Sequence, residues 1–302
     1  MQSNTIAAAV GQRGTLADYV ELLKPRLASL VLITTLIGYY MGHAGSADVA
    51  FFLTLLHVML GTSLIAGGAM VLNQYMERDT DALMTRTRVR PLPEGRISPG
   101  DCLRFGAAIT VAGVVYLLMT VHWASAVLGL FTIGSYLLLY TPLKTRTPLC
   151  TLVGAMPGAV PPLMGYAAAS AGRLDAAAWL LFAILFVWQM PHFLAIAWLY
   201  RDDYAMGRQM MLPVVDSDGR QTTRQIMSFS LTLLPVTFMP AMLGMAGNLY
   251  FAASLVLGGV FLWSGVRFAA NQTRSTARQL FIVSVLYLPL LLGFMVYDRR
   301  LI

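Results

Sequence analysis

The sequence predicts an all-α, polytopic membrane protein with about nine transmembrane helices. Of its 302 residues, 57% are hydrophobic and only 12% are charged, which is about half the charged fraction of a soluble domain. The charges are clustered, and the uncharged runs between them reach the roughly 20 residues that a helix needs to cross a bilayer. These figures exclude a soluble enzyme, a nucleic-acid-binding domain and a disordered protein, and they make the lipid bilayer the first expected partner.

Nine spans account for the uncharged runs. Two of the runs are about 40 residues long, so each must hold two crossings. We divide the first at residues 121–123, an interfacial aromatic site, and the second at residues 244–248, a turn by composition. The predicted spans are 27–43, 50–72, 103–121, 124–140, 149–169, 176–200, 226–244, 249–269 and 278–297.

The basic residues orient these spans, because cytoplasmic loops carry an excess of Lys and Arg. With the N-terminus inside, only Arg173, Arg299 and Arg300 of the 21 basic residues fall on the outer face. The last two make the ninth span the least well supported. We expect a cytoplasmic segment over residues 1–26 that includes Arg13, followed by one transmembrane domain over residues 27–302. The first residues show no signal or transit pattern, which favours a bacterial inner membrane.

Two inner connections are long, at residues 73–101 and 201–225. Each begins with carboxylates and continues through basic residues to a proline-containing segment. The two connections lie four spans apart, which hints at two four-helix halves and one extra helix. Such repeats are common in membrane proteins that bind ligands between halves.

The first long connection begins with candidate metal ligands. If the second span continues as a helix, Asn73, Glu77 and Asp81 share one face, and Asp79 points roughly the opposite way. Carboxylates at i and i+4 repel each other, and a divalent cation between them would reverse that repulsion. Carboxylate and amide oxygens suit Mg²⁺, which usually shares substrate phosphates rather than being caged by protein.

Alternating arginines follow this stripe at Arg86, Arg88 and Arg90. Guanidinium groups match the geometry of phosphate oxygens, so the stripe together with Arg86 and Arg90 predicts a site for magnesium and a diphosphate. The alternative is a solvated acidic helix end in a positive-inside loop. For Arg88 and Arg96 we favour that topological role.

Several blocks of sequence, in order along the chain, carry a family resemblance. The pattern Asn73-x-x-x-Glu77-x-x-x-Asp81 resembles the first acidic motif of the UbiA-type intramembrane prenyltransferases. The blocks that are similar to the haem-modifying branch of this family are 86–95, 140–148, 154–162, 188–193 and 201–204.

This sequence departs from the family pattern at two places. Glu77 stands where the family usually has Asp, which leaves the exact metal position open. The second acidic motif of the family is often Asp-x-x-x-Asp, but Met206 and Gly207 lie four residues beyond Asp202 and Asp203. The second acidic cluster is therefore partial.

The resemblance implies transfer of the farnesyl group of farnesyl diphosphate to the vinyl group of haem b, with water addition, giving haem O and diphosphate. Haem A synthase or a terminal oxidase assembly would then be a downstream partner. The site residues that it implies are Asn73, Glu77 and Asp81 for Mg²⁺, Asp203 and Asp202 for a further ion, Arg86, Arg90 and Lys144 for the diphosphate, and Tyr140, Arg201 and Tyr204 for substrate binding.

His192 is the histidine that the predicted topology puts toward the inner side. It precedes Arg201 by nine residues, a depth of about 13 Å in a helix, and it follows Pro191, whose ring is expected to interrupt the helix. An ionisable residue inside the membrane is a functional candidate. We expect haem contact or proton handling, and the alternative is a hydrogen bond between helices beside the kink.

Two other functions remain open at this point. A transferase of the same fold could act on another aromatic acceptor, such as 4-hydroxybenzoate or a chlorin. A secondary transporter would place charged coupling residues near the bilayer midplane. Here the carboxylates gather at one membrane face, which favours the transferase.

Overall fold

The computed structural model describes residues 14–300, so Arg13 and the rest of the first 13 residues lie outside the described part. Helices make up most of it, and an isolated bridge joins Ala246 and Arg299. The elements are α1 (Leu16–Leu22), α2 (Pro25–Gly42), α3 (Val49–Asp81), α4 (Pro99–Thr120), α5 (Trp123–Gly134), a π-helical segment (Ser135–Tyr140), α6 (Thr141–Leu143), α7 (Cys150–Ala159), α8 (Pro161–Ala169), α9 (Ala176–Leu199), α10 (Arg201–Met206), α11 (Leu212–Val215), α12 (Arg220–Met242), α13 (Asn248–Asn271) and α14 (Arg274–Tyr297).

The predicted all-α membrane architecture is confirmed. Seven helical segments within residues 14–300 are long and apolar enough to cross a membrane. The two remaining predicted spans correspond to α2, which has 18 residues, and to the pair α7 and α8, which meet at Val160. A multi-pass membrane protein results, with about nine crossings.

The spans pack as two groups, each around its own main core, and Leu128 and Phe182 contact both cores. One core joins α2, α3, α4, α5 and α8 through Tyr39, Ile65 and Met164. The other lies mainly among α9, α12, α13 and α14. Close backbone crossings hold the first group together, since a Cβ atom at Gly38 would lie 2.0 Å from the Pro162 carbonyl oxygen. Small residues at such crossings are the usual way in which membrane helices approach one another.

The helices differ from the sequence prediction at two places. Residues 73–81, assigned to the first long loop, are the last turns of α3, which runs unbroken for 33 residues. The prediction that Pro191 interrupts its helix is wrong, because α9 continues through it to Leu199. Proline is tolerated inside membrane helices when neighbouring groups satisfy the freed backbone atoms.

The C-terminal arginines support the ninth span. The Arg299 guanidinium donates a hydrogen bond to the His43 carbonyl oxygen and lies 4.8 Å from the centre of the Tyr40 ring. The ends of α2 and α14 therefore lie on the same face of the bundle. Eight further crossings after α2 return the chain to this face, as a nine-span topology requires.

Candidate functional site: a buried carboxylate and cation cluster

The stripe predicted on α3 is confirmed as a buried face. Asn73, Glu77 and Asp81 are 2%, 8% and 1% exposed. Asp79 points away from them, exposed to solvent, with Arg78 3.6 Å from its carboxylate. The long helix thus carries two carboxylates and one amide into the interior at one end of the bundle.

Both buried carboxylates are paired with cations from other parts of the chain. Lys144 Nζ lies 2.6 Å from Glu77 Oε1, and Arg90 Nη1 lies 2.5 Å from Asp81 Oδ2. Burial opposes the charged form of Lys144, but the Glu77 carboxylate outweighs it and raises the pKa of the amine well above its usual range. A buried charge that loses its partner costs about 3–5 kcal/mol, so each pair holds its two segments together.

Hydrogen bonds orient the amide of Asn73. Its Nδ2 donates to Thr141 Oγ1 over 3.0 Å, while the Thr141 hydroxyl donates to the Tyr136 carbonyl oxygen over 2.8 Å. A hydroxyl has one proton to donate, so Thr141 must accept from the nitrogen of Asn73. The amide oxygen of Asn73 is therefore left for another ligand.

The π-helical segment places Tyr140 beside Lys144. Lys144 Nζ lies 4.5 Å from the centre of the Tyr140 ring, a cation–π contact that stabilises the buried amine. Gly154 makes room for this ring, because a Cβ atom there would lie 2.6 Å from it. π-Helical turns occur often at functional sites, and this one brings Thr141 and Tyr140 to the cluster.

A loop over residues 82–98 covers the end of α3. Thr87 donates its hydroxyl proton to the Asp81 carbonyl oxygen over 2.8 Å. Arg96, for which the sequence favours a topological role, forms hydrogen bonds to Asp18 and Glu21 of α1 and to Glu94. Arg96 thus joins the loop to α1, whereas Arg88 is exposed.

Asp203 binds the backbone of that loop. Its Oδ1 accepts a hydrogen bond from the Thr85 N–H at 3.1 Å, and its Oδ2 accepts one from the Arg86 N–H at 3.2 Å. The Arg86 guanidinium lies over two aromatic rings, with its Cζ 4.9 Å from the centre of the Tyr200 ring and 5.9 Å from the centre of the Tyr204 ring. The two long loops, predicted from similar sequence patterns, therefore meet directly.

Three predicted residues lie apart from the carboxylate cluster. Arg201 and Asp202 are exposed, and Arg201 Nε lies 3.7 Å from Asp202 Oδ1. The Arg201 guanidinium also lies over the Trp198 ring. His192, on α9, contacts Phe281 of α14, and its ring is stacked on Trp188 with the two ring centres 4.8 Å apart.

A hydrogen bond sets the ring orientation of His192. Its Nδ1 lies 2.7 Å from Ser284 Oγ, and that hydroxyl donates to the Phe281 carbonyl oxygen. Nδ1 must then carry the proton, which leaves Nε2 as the free ring nitrogen. The structure therefore contains the interhelical hydrogen bond that was the alternative reading of His192, and one nitrogen remains for a ligand.

Lys24 is a site residue that sequence reasoning missed. It lies between α1 and α2, where Glu77, Asp81, Arg90 and Lys144 are its charged neighbours. Burial, followed by the two neighbouring cations, lowers the pKa of Lys24 to about 7. A signal was present, since Lys24 and Lys144 are the only lysines in the sequence and every other basic residue is Arg.

The donor set fits a magnesium ion that shares its coordination with phosphates. Among the described residues no group of three or more acidic, His or Cys side chains is close enough to hold a metal. The cluster supplies two carboxylates and the amide oxygen of Asn73, all hard ligands. Mg²⁺ commonly binds through one or two carboxylates, waters and substrate phosphates, and this set provides no more than that.

A groove lies outside the cluster. It has a volume of about 430 Å³ and opens among α7, α9, α11 and α12, and the residues that line it include Thr151, Met190, Asp216, Gln225 and Phe229. None of the predicted site residues lines it. Its polar wall carries a carboxylate and no cation, so it lacks the charge that a diphosphate requires.

Fold and cluster together define an intramembrane prenyltransferase, and the chain belongs to the UbiA prenyltransferase family, whose model matches residues 31–291. Curated relatives cover nearly the whole chain. A protoheme IX farnesyltransferase of Solibacter usitatus is 51% identical over 93% of this chain and 98% of its own length. One of Koribacter versatilis is 44% identical and covers both chains completely. The predicted family is thus confirmed.

Solved structures share the fold at low identity. A digeranylgeranylglyceryl phosphate synthase matches with a TM-score of 0.78 and 16% identity, over 94% of this chain and 98% of that chain. A UbiA homologue of Archaeoglobus fulgidus bound to GPP and Mg²⁺ matches with a TM-score of 0.64 and 13% identity, over 92% and 99%. Family membership argues against the transporter alternative.

Proposed function

We propose that this protein transfers the farnesyl group of farnesyl diphosphate to a vinyl group of haem b, with addition of water, to give haem O and diphosphate. The observation that carries the proposal is the buried cluster in which Glu77 and Asp81 are paired with Lys144 and Arg90. Relatives named protoheme IX farnesyltransferase support haem as the acceptor. They favour it over 4-hydroxybenzoate or a chlorin.

The cluster would work by exchanging partners. In this structure Lys144 and Arg90 neutralise the two carboxylates. When a diphosphate arrives with magnesium, the two cations would turn to phosphate oxygens, and Glu77, Asp81 and the amide oxygen of Asn73 would hold the metal. Bound Mg²⁺ supplies the charge that makes diphosphate a better leaving group. Arg86, held by its stacking on Tyr200 and Tyr204, would add a further phosphate contact.

The reaction then needs little further chemistry from the side chains. The C–O bond of the substrate breaks, and both electrons leave with the diphosphate. The vinyl electrons of haem attack the allylic cation to form a C–C bond, and water adds to the resulting cation and loses a proton. Preorganised charges at the leaving group are the main contribution of such a site, while apolar helix walls limit early attack by water.

Several finer assignments belong to the same proposal. We place the protein in a bacterial inner membrane, with residues 1–26 and the cluster on the cytoplasmic side, because the predicted topology puts all but three of the 21 basic residues on that side. His192, through its free Nε2, would contact haem or handle a proton. A second Mg²⁺ on Asp203 and Asp202 is not part of the proposal, because the hydrogen bonds that Asp203 accepts from Thr85 and Arg86 favour a role in positioning the loop. Tyr140, Arg201 and Tyr204 as substrate contacts stay predictions. Delivery of the product to haem A synthase or an oxidase assembly also stays a prediction.

The test uses the purified protein with haem b, farnesyl diphosphate and Mg²⁺, and follows the pigment by mass spectrometry. We expect a haem whose mass has increased by one farnesyl group and one hydroxyl group. A parallel reaction contains 4-hydroxybenzoate in place of haem. Prenylated benzoate together with unmodified haem would overturn the choice of acceptor, and no product with either acceptor would overturn the proposal.

A further inference from the structure

Lys24 has an unusual backbone conformation. Its φ and ψ of 47° and 61° lie in the left-handed region, which residues with a Cβ atom seldom adopt. Pro25 follows directly and restricts the residue before it further. Strained residues of this kind persist only where the surrounding structure holds them, and they cluster at functional sites.

The N-terminal segment holds Lys24 in this place. The Gln74 side chain, next to Asn73 on α3, donates a hydrogen bond to the Leu22 carbonyl oxygen over 2.7 Å, and the Leu22 side chain is fully buried. From the loop over residues 82–98, Arg96 binds Asp18 and Glu21 of α1. The turn that carries Lys24 is therefore fixed both to α3 and to the loop over the cluster.

Lys24 adds a third basic side chain to a site with two carboxylates. Lys144 and Arg90 are each paired with a carboxylate, whereas no ion pair joins Lys24 to any residue between 14 and 300. Its nearby charges are Arg90 and Lys144 as well as Glu77 and Asp81. Burial and the two neighbouring cations disfavour the charged form of Lys24 while it has no partner, and an anion beside the amine would favour that form.

We propose that Lys24 is a direct contact of the substrate diphosphate, delivered to the site by the turn after α1. The proposal rests on the proposed function, since it assumes that a diphosphate occupies this cluster. It gives a role to the segment before the first span. A flexible ammonium group acts as a point charge for phosphate, and the chain places both of its lysines here.

The test measures binding of inorganic pyrophosphate with Mg²⁺, and of farnesyl diphosphate with Mg²⁺, by calorimetry on the detergent-purified full chain. Lys24→Met removes the charge and keeps much of the length. Lys24→Asn also removes the charge but tolerates the left-handed backbone. Lys24→Arg keeps the charge. Arg26→Met is the matched control, because Arg26 lies in the same turn and its side chain is exposed.

We expect both neutral variants to bind pyrophosphate about 10-fold to 100-fold more weakly, as loss of a charged hydrogen bond predicts. Lys24→Arg should retain part of the affinity, and Arg26→Met should stay within about twofold of the natural protein. Lys24→Asn that binds as tightly as the natural protein would overturn the inference, because a backbone role alone would then suffice.

Failure of the proposed function is distinguishable from failure of this inference. A natural protein that binds neither farnesyl diphosphate nor pyrophosphate in the presence of Mg²⁺ would overturn the proposed function, and the role of Lys24 with it. A natural protein that binds both, with neutral Lys24 variants that bind equally well, would overturn only the role of Lys24. Thermal unfolding is measured for every variant, so that a variant that no longer folds is recognised. Lys24→Asn is the neutral variant most able to keep the fold, because Asn tolerates the left-handed backbone.

Discussion

The two acidic regions, at the end of α3 and after α9, look alike in sequence and differ in structure. At the end of α3, Glu77 and Asp81 are buried and each binds a cationic side chain. After α9, Asp202 is exposed, and Asp203 accepts hydrogen bonds from backbone N–H groups of the other loop. The first region concentrates charge, and the second connects two loops.

This difference indicates that the two regions have different roles. Buried ion pairs are costly to desolvate and sensitive to loss of one partner, so the first region has the features of a site that exchanges ligands. A half-exposed carboxylate that accepts two backbone N–H groups is already satisfied and holds the loop that carries Arg86. We therefore expect substitutions in the first region to affect chemistry and substitutions in the second to affect loop position.

The largest effect is expected at Asp81. Asp81→Asn keeps the shape of the side chain but removes the charge that faces Arg90, and turnover should fall by at least about 100-fold, as for loss of a preorganised electrostatic group. The measurement is the rate of haem farnesylation at saturating Mg²⁺. Asp79→Asn is the control, since this exposed carboxylate lies two residues away, and it should leave the rate unchanged. Equal rates in Asp81→Asn and the natural protein would remove the first region from the chemistry.

A smaller effect is expected at Asp203. Asp203→Ala leaves the N–H groups of Thr85 and Arg86 without their acceptor, so kcat/KM should fall by about 10-fold through misplacement of Arg86. The Mg²⁺ concentration that gives half-maximal rate should stay the same. Asp218→Ala, in the same loop and exposed, is the control. A raised Mg²⁺ requirement in Asp203→Ala would identify Asp203 as a metal ligand and break the proposed division.

The smallest effect is expected at Arg96, which joins α1 to the loop. Its partly exposed ion pairs are worth little each, so Arg96→Met should lower Tm by only a few degrees. Arg88→Met, with an exposed side chain in the same loop, should leave Tm unchanged.

Asp18, the partner of Arg96, has a lowered pKa, because it accepts hydrogen bonds first from Thr15 and then from Arg96. The pH dependence of the Arg96 effect follows from that shift. A carboxylate whose folded pKa is lowered stabilises the fold above its unfolded value of about 4, and the stabilisation is lost as pH falls through the lowered value. The difference in Tm between Arg96→Met and the natural protein should therefore narrow in acid. A difference that grows below pH 4 would contradict a role for Asp18 as its partner.

The sequence was sufficient for what depends on local periodicity. Uncharged runs predicted the spans, and a spacing of four residues predicted the shared face of Asn73, Glu77 and Asp81. Contacts made by the backbone or by distant segments were not predictable in this way. Asp203 binds N–H groups that any residues at positions 85 and 86 would offer, and Lys24 reaches the cluster through the packing of α1 on α3. The helix through Pro191 depended on neighbours that no local rule describes.

The most direct test of the division between the two acidic regions replaces magnesium with paramagnetic Mn²⁺ and follows its binding by electron paramagnetic resonance, with and without farnesyl diphosphate. We predict that bound Mn²⁺ appears when the diphosphate is present, is lost in Asp81→Asn and is retained in Asp203→Ala. Retention of Mn²⁺ in Asp81→Asn, with loss in Asp203→Ala, would contradict the assignment of the metal and the diphosphate to the end of α3.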